Sequence, residues 1–201
     1  MRPTKLQIIL WSAAAIAVVS FVVWQGLPFG DIKRTSNDDP AFRANFELTD
    51  HRGMIRTNDD FSGRWMLVFF GFTNCPDVCP TGLATLARVM DDLGSNAERV
   101  QPLLISIDPE RDKPAVLAEY VPQFHPAIIG LTGSPDQIKK TARTFKIYYE
   151  RIEEVALPDG YTMGHSSSIL LFDPEGAFVR TYGYDVDSDK IVADLRDRIG
   201  A

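Results

Sequence analysis

Cysteine is the scarcest reactive residue of this 201-residue chain: it occurs twice, so the protein can hold no more than one internal disulfide. Internal repeats and low-complexity segments are lacking, which excludes a solenoid or a fibrous protein. No basic cluster interleaved with aromatics occurs, and the formal net charge is −6, so we expect no nucleic-acid partner. Hydrophobic residues make up 45% and charged residues 24% of the chain, a balance that indicates an ordinary globular core.

Charged residues are absent from residues 6–30, and the centre of this stretch is apolar. A helix of roughly 20 apolar residues crosses a bilayer core of about 30 Å. Arg2 and Lys5 precede the run and favour a cytoplasmic N-terminus. A cleaved signal peptide is the alternative, but the residues after the run lack the small-x-small pattern of a cleavage site. We therefore expect a transmembrane anchor over residues 1–30 in a bacterial inner membrane, with the C-terminal domain in the periplasm.

The polar residues 31–40 are expected to form a linker, and residues 41–201 a single domain. Without residues 1–30 the chain carries 19 basic and 27 acidic side chains, a net charge of −8. A solvated acidic face explains this excess most simply, and a basic partner is the alternative.

Hydrophobic spacing in the domain predicts alternating strands and helices. Residues 65–72 (WMLVFFGF) are continuously apolar, as in a strand buried on both faces. Residues 80–93 place apolar side chains at helical spacing before Gly94. The other predicted elements are a hairpin of 46–49 with 54–57, strands at 100–107 and 146–151, helices from Pro114, over 135–144 and over 188–199, and a hairpin of 167–172 with 177–182. This order predicts an α/β, thioredoxin-like fold with a mixed central sheet flanked by helices.

The two cysteines lie in CPDVCP (75–80), where the predicted buried strand meets the start of a helix. Free N–H groups and the positive end of the helix dipole stabilise a thiolate at such a position. Side chains four residues apart in a first helical turn share a face, so two sulfurs there can hold one ion. A structural disulfide is the alternative, but so short a loop would remove little entropy from the unfolded chain. The pair is therefore predicted to be chemically active.

Three histidines are available as a further ligand. His51 falls in a predicted hairpin turn and His125 at the end of a helix, so we expect both to be surface residues. His165 lies just before the second predicted hairpin, in the loop that faces the cysteine-bearing helix of a thioredoxin-like sheet. Copper(I) prefers thiolate, and imidazole suits both copper oxidation states. Cys75, Cys79 and His165 are therefore the predicted ligands of a trigonal site for Cu(I), Cu(II) or both.

The domain contains four segments in a characteristic order: GFTNCPDVCP, ISIDPERDKP, GLTG and GHSSSILLFDPEG. Together they resemble the Sco/SenC family of membrane-anchored copper-binding proteins, which serve the assembly of cytochrome c oxidase. The resemblance runs from about residue 41 to the C-terminus, and it implies copper binding by the two cysteines and the distal histidine. It also points to two acidic residues. Asp77 either influences the sulfurs electrostatically or is a solvated acid at a helix start, and Asp108 either tunes the site or caps the following turn. The family often places aspartate before the histidine, where this chain has Gly164 and so lacks a carboxylate to orient the imidazole.

The resemblance implies a metallochaperone that delivers copper to the binuclear copper centre of an oxidase subunit. Other periplasmic copper carriers or thiol reductants are further partners that it implies. A thiol–disulfide oxidoreductase is the alternative, in which Cys75 and Cys79 reduce cysteines of a partner such as an oxidase subunit. Three intervening residues argue mildly against this alternative, because redox thioredoxins generally have two. A thiol peroxidase is a third hypothesis. The sequence therefore leaves open whether the protein is an enzyme.

Overall fold

The computed structural model describes residues 42–156 and 160–200. Within these ranges the chain forms nine strands and four α-helices. The strands are β1 (Glu47–Asp50), β2 (Ile55–Thr57), β3 (Trp65–Gly71), β4 (Val100–Ser106), β5 (Ile129–Thr132), β6 (Tyr149–Glu153), β7 (Tyr161–His165), β8 (Ser168–Phe172) and β9 (Phe178–Gly183). The helices are α1 (Val78–Leu93), α2 (Pro114–Tyr120), α3 (Pro135–Thr144) and α4 (Ser188–Gly200).

Seven of the described strands form one sheet in the order β2-β1-β5-β4-β3-β8-β9, and β6 and β7 form a separate pair. β3 runs parallel to β4 and β4 parallel to β5, whereas β8 lies antiparallel to β3. Every residue of β3 and β4 is buried, as expected for strands covered on both faces. Each large apolar side chain buried in this way stabilises the fold by roughly 1.5–3 kcal/mol. The predicted α/β class with a mixed sheet flanked by helices is thus confirmed.

The start of helix α3 is marked by strong local signals, and its bounds agree with the prediction of 135–144. The Ser134 hydroxyl accepts the N–H of Gln137, and the side-chain oxygen of Gln137 accepts the N–H of Ser134. Pro135 occupies the first turn, where its missing N–H costs no hydrogen bond. These local signals fix the start of a helix without help from the rest of the fold.

The predicted strand at 146–151 is confirmed only from residue 149, because β6 runs over Tyr149–Glu153. The N–H of Ile147 bonds to the carbonyl of Ala142, and Lys146 has a φ of 56°, so the chain is still leaving α3 at these residues. The strand begins at Tyr149 and pairs with β7, which the sequence did not predict. The sequence also missed β5, a strand of four residues.

The predicted anchor at residues 1–30 and linker at 31–40 lie outside the described residues. No helix within 42–156 or 160–200 is long and apolar enough to span a bilayer.

Helix α4 is held to β9 by a cluster around Asp194. The Asp194 carboxylate, 19% exposed, accepts hydrogen bonds from the Tyr182 hydroxyl and from Arg198 Nε at 3.1 Å, and Arg180 Nη1 lies at 3.4 Å. Burial acts to raise the pKa of Asp194, but the bonds from Arg198 and Tyr182 and the two positive charges outweigh it and lower that pKa. Above the unfolded pKa of about 3.9 the ionised carboxylate therefore stabilises the fold, and this contribution disappears as the pH falls through the native pKa.

We expect Asp194→Asn to lower the free energy of unfolding by about 2 kcal/mol at pH 7 because bonds to a charged acceptor are lost. The difference between wild type and variant should shrink towards pH 3, because the unfolded carboxylate then takes up a proton and the ionised native form loses its advantage. Urea unfolding at both pH values measures this, with Asp197→Asn, an exposed residue of the same helix, as the control. An equal difference at both pH values would show that the charge is unimportant.

Candidate metal centre

The two cysteines lie at the carboxyl end of β3, where the chain turns into α1. The N–H of Cys75 bonds to the carbonyl of Phe72 at 3.4 Å, which keeps Cys75 beside the end of the strand. Cys79 is the second residue of α1 and is 0% exposed, whereas Cys75 is partly exposed. Both are free thiols. Asp77 is the N-cap residue of α1, but its exposed side chain makes no capping bond.

His165 is the last residue of β7 and lies opposite Tyr149 of β6. The prediction that it lies in a loop is therefore wrong, because the short strand β7 reaches as far as the histidine. The imidazole ring meets Phe69 and Phe72 edge-on, with ring centroids 6.3 and 5.9 Å away. Two aromatic neighbours and a strand backbone hold the ring in place.

A hydrogen bond selects the tautomer of His165. Nδ1 lies 3.0 Å from the carbonyl oxygen of Ser166. A carbonyl only accepts, so Nδ1 carries the proton and Nε2 keeps a free lone pair. Nε2 lies 3.6 Å from Sγ of Cys79. A backbone carbonyl thus orients the imidazole in this chain, which has glycine rather than a carboxylate at position 164.

Cys75, Cys79 and His165 offer ligand atoms that all lie within 4.8 Å of one another. In the described part of the chain these three residues form the one group of three or more His, Cys, Asp and Glu side chains that are close enough to share an ion. Two thiolates and one imidazole form a soft donor set, which suits copper. The residues that the sequence predicted as ligands are therefore brought together.

The two thiols differ in acidity. A hydrogen bond from the Cys79 side chain, together with bonds from the N–H groups of Cys79 and Asp77, lowers the pKa of Cys75 against the effect of burial. The neighbouring Cys75 sulfur and burial raise the pKa of Cys79. Cys75 is therefore the first of the pair to become a thiolate, the form that binds metal and attacks disulfides.

The other two histidines lie outside this group. His51 was expected to be a solvated turn residue, but its Nδ1 accepts the N–H of Gly130 at 3.1 Å and helps to bind the first hairpin to β5. His125 accepts the N–H of Ala127 at Nδ1, and its Nε2 lies 3.6 Å from the Asp91 carboxylate. Both histidines have local structural roles.

Asp108 follows β4 and is 2% exposed. Its carboxylate accepts bonds from the Tyr161 hydroxyl at 3.0 Å and from Arg111, while its backbone carbonyl accepts the N–H groups of the following turn. Sequence reasoning missed Asp112, a second buried carboxylate in the same turn. The only available signal was its place in the ISIDPERDKP segment, since an acid among other charged residues of a turn normally indicates a solvated residue.

The SCO1/SenC family model matches residues 34–200. The mouse protein named "Protein SCO2 homolog, mitochondrial" is 40% identical over 161 residues, which are 79% of this chain and 63% of that protein. The chain thus spans less than two thirds of that curated relative's length.

Two solved structures are also similar to this chain. The crystal structure of Arabidopsis thaliana ScoI with copper bound gives a TM-score of 0.74 at 40% identity, over 80% of this chain and 99% of that one. A structure of BsSco gives a TM-score of 0.62 at 27% identity, over 79% and 94% of the two chains. BsSco is described as having a disulfide switch and as a member of the Sco family of cytochrome c oxidase assembly proteins. These likenesses agree with the predicted thioredoxin-like arrangement.

Proposed function

This chain belongs to the SCO1/SenC family, and from that premise we propose that it is a copper metallochaperone. It binds one copper ion through Cys75, Cys79 and His165 and delivers it to the binuclear copper centre of cytochrome c oxidase. The observation that carries this proposal is the meeting of two sulfurs and one imidazole nitrogen within 4.8 Å. The copper-bound Arabidopsis relative and the assembly role stated for the family of BsSco support it.

The acidities of the ligands set the order in which they act. The Cys75 thiolate is available first, and Cys79 gives up its proton when copper arrives, because a metal ion favours the thiolate.

Three ligands leave room for an incoming thiolate of the acceptor, so copper can pass by ligand exchange. Cys79 is fully buried, whereas Cys75 and His165 are partly exposed. The acceptor therefore approaches from the side of Cys75 and His165, and Cys79 is the last to release the ion.

We expect His165→Ala to weaken Cu(I) binding about a hundredfold, or about 2.7 kcal/mol, because one of three ligands is removed. The sulfur-to-copper charge-transfer band of the Cu(II) form should shift, and oxidase assembly in cells should fall. Competition against a Cu(I) chelator and absorption spectroscopy measure the first two effects, with His125→Ala as the control. Unchanged affinity and unchanged oxidase assembly in His165→Ala would exclude the three-ligand centre.

A thiol–disulfide oxidoreductase is the second candidate, favoured by two free thiols of unequal acidity. The Cys75 thiolate would attack a disulfide of an oxidase subunit and release one partner cysteine as a thiolate. Cys79, once deprotonated, would then attack the mixed disulfide. The second partner cysteine would leave, and a Cys75–Cys79 disulfide would form as two electrons pass to the partner. A thiol reductant must then reduce this disulfide again. Partner reduction that survives His165→Ala but not Cys75→Ser would favour this function.

We also propose that residues 1–30 anchor the protein in a bacterial inner membrane, that 31–40 are a linker, and that 41–201 form the periplasmic copper-binding domain. The support is the uncharged run at residues 6–30, together with a family match that begins at residue 34. The protein should stay in the membrane pellet after extraction with alkaline carbonate. Its release into the supernatant would contradict the anchor.

A further inference from the structure

A single turn of the chain lies beside both segments that carry the copper ligands. This acidic turn (residues 108–112) follows β4, and the carbonyl of Asp108 closes it by accepting the N–H groups of Arg111 at 3.2 Å and Asp112 at 2.9 Å. It contains two buried carboxylates, of Asp108, 2% exposed, and Asp112, 0% exposed. Buried carboxylates are costly unless hydrogen bonds compensate them, so their partners show what they hold.

Asp112 holds the segment that carries the cysteines. Its carboxylate accepts the N–H of Thr73 at 3.0 Å, the hydroxyl of Thr73 at 2.5 Å and the hydroxyl of Ser106 at 2.6 Å. Thr73 lies two residues before Cys75 in the connection between β3 and α1. Burial raises the pKa of Asp112, and the bonds from Ser106 and Thr73 act against this rise. One carboxylate thus ties the cysteine segment to the end of β4.

Asp108 holds the strand that carries the histidine. Its carboxylate accepts the hydroxyl of Tyr161, the first residue of β7, whose last residue is His165. The Arg111 guanidinium of the same turn lies 3.9 Å from the centre of the Tyr161 ring and 5.9 Å from that of Phe72. Phe72 in turn meets the imidazole edge-on. The acidic turn therefore contacts β7 through one carboxylate and one cation.

We propose that the acidic turn sets the distance between the sulfurs and the imidazole, with Asp112 positioning Cys75 and Cys79 through Thr73, and Asp108 positioning His165 through Tyr161. The ligands come from two elements that do not pair with each other, since β7 pairs with β6 whereas the cysteines follow β3, and the nearest pairing between their segments is that of Ile169 in β8 with Phe69 in β3. A common support is what such a split site requires if it is to be preorganised for a metal. This inference rests on the proposed copper function and adds positioning residues to it.

The test compares Cu(I) affinity and the Cu(II) charge-transfer spectrum of the full-length protein in Asp112→Asn and Tyr161→Phe, with Asp197→Asn as the control. Asp112→Asn keeps the side chain's shape but presents an N–H₂ group to the donors of Thr73 and Ser106. We expect its Cu(I) affinity to fall ten- to about a hundredfold, the usual range for residues that orient metal ligands, with a shifted sulfur band. Tyr161→Phe should weaken binding about tenfold in the wild-type background and not at all in His165→Ala.

Variants of Thr73 test the same contact with Asp112 if Asp112→Asn folds poorly. Thr73→Ser keeps the hydroxyl and should bind copper as the wild type does, whereas Thr73→Val should resemble Asp112→Asn. Thermal unfolding of the copper-free variants, recorded alongside, separates positioning from stability. Affinity that falls only in step with unfolding stability, with an unshifted spectrum, would overturn the proposal.

Different outcomes would refute the positioning role and the proposed metallochaperone function. Wild-type protein that binds no copper would refute the metallochaperone. Wild-type protein that binds copper, with Asp112→Asn, Thr73→Val and Tyr161→Phe all within twofold of it, would refute the positioning role alone. A Tyr161→Phe effect that persists undiminished without His165 would refute the link between Asp108 and the histidine.

Discussion

Replacing either cysteine by serine is expected to abolish stoichiometric copper binding. A serine hydroxyl is a hard oxygen donor that stays protonated at neutral pH, so it cannot replace a soft thiolate. We expect affinity for Cu(I) to fall more than about a thousandfold in Cys75→Ser and in Cys79→Ser, or more than about 4 kcal/mol. Competition against a Cu(I) chelator measures this loss, and a variant that still binds one equivalent tightly would show that its sulfur is not a ligand.

The two cysteine variants should differ sharply in thiol chemistry. Cys79→Ser leaves the partly exposed Cys75, whereas Cys75→Ser leaves a thiol that is 0% exposed. Alkylation by iodoacetamide should therefore be about a hundredfold slower in Cys75→Ser, because the thiolate is the nucleophile and access limits its reaction.

In the reduced wild type the lowered pKa of Cys75 predicts that alkylation stays fast below pH 8.5, the ordinary value for cysteine, and slows only below the native pKa. Equal alkylation rates in Cys75→Ser and Cys79→Ser would contradict the unequal environments of the two sulfurs.

Gly71→Ala is expected to disturb the copper site, because the added methyl group would clash with Cys79. A Cβ at Gly71, the last residue of β3, would lie 2.8 Å from Sγ of Cys79 and 3.1 Å from Cε1 of Phe69. Both neighbours are fully buried, and Cys79 is fixed in the first turn of α1, so the sulfur or the strand must move. We expect Cu(I) affinity to fall about a hundredfold, or about 2.7 kcal/mol, and the free energy of unfolding to fall by about 1–3 kcal/mol, as in other overpacked cores.

Two other glycines provide matched controls for Gly71→Ala. A Cβ at Gly82 would meet the Phe69 ring at 2.9 Å and no sulfur within the nearest contacts, whereas one at Gly200 would meet nothing within 4 Å. Gly82→Ala should therefore lose stability with less effect on copper, and Gly200→Ala should change neither. Chelator competition and urea unfolding measure the two quantities. If Gly71→Ala bound copper as tightly as the wild type, Cys79 would not need its present position.

Local sequence signals predicted the elements whose hydrogen bonds or burial are local. The uninterrupted apolar run of β3 reflects its burial on both faces, and the Ser134 cap and Pro135 marked the start of α3. The cysteine pair was placed correctly at the strand–helix junction because both flanking elements carried strong signals.

The missed elements depend on contacts between distant residues. β6 is exposed at nearly every position, so it has no apolar pattern to detect, and β7 is defined only by its pairing with β6. The role of Asp112 depends on Thr73 and Ser106, which come beside it only in the folded chain. The position of His165 before the second predicted hairpin indicated a ligand, but its place at a strand end and its bond to Ser166 could come only from the structure.

The self-contained pairing of β6 with β7 allows the connection between these two strands to change without disturbing the main sheet. Insertions or deletions between the two strands leave every hydrogen bond of the seven-stranded sheet in place. Doubling the length of such a connection costs only about 0.6 kcal/mol in closure entropy. His165 lies at the end of the hairpin that leads into β8, whereas Val155, 99% exposed, lies in the connection beyond β6. A change in the length or chemistry of this connection can therefore alter what the domain touches without changing the three ligands.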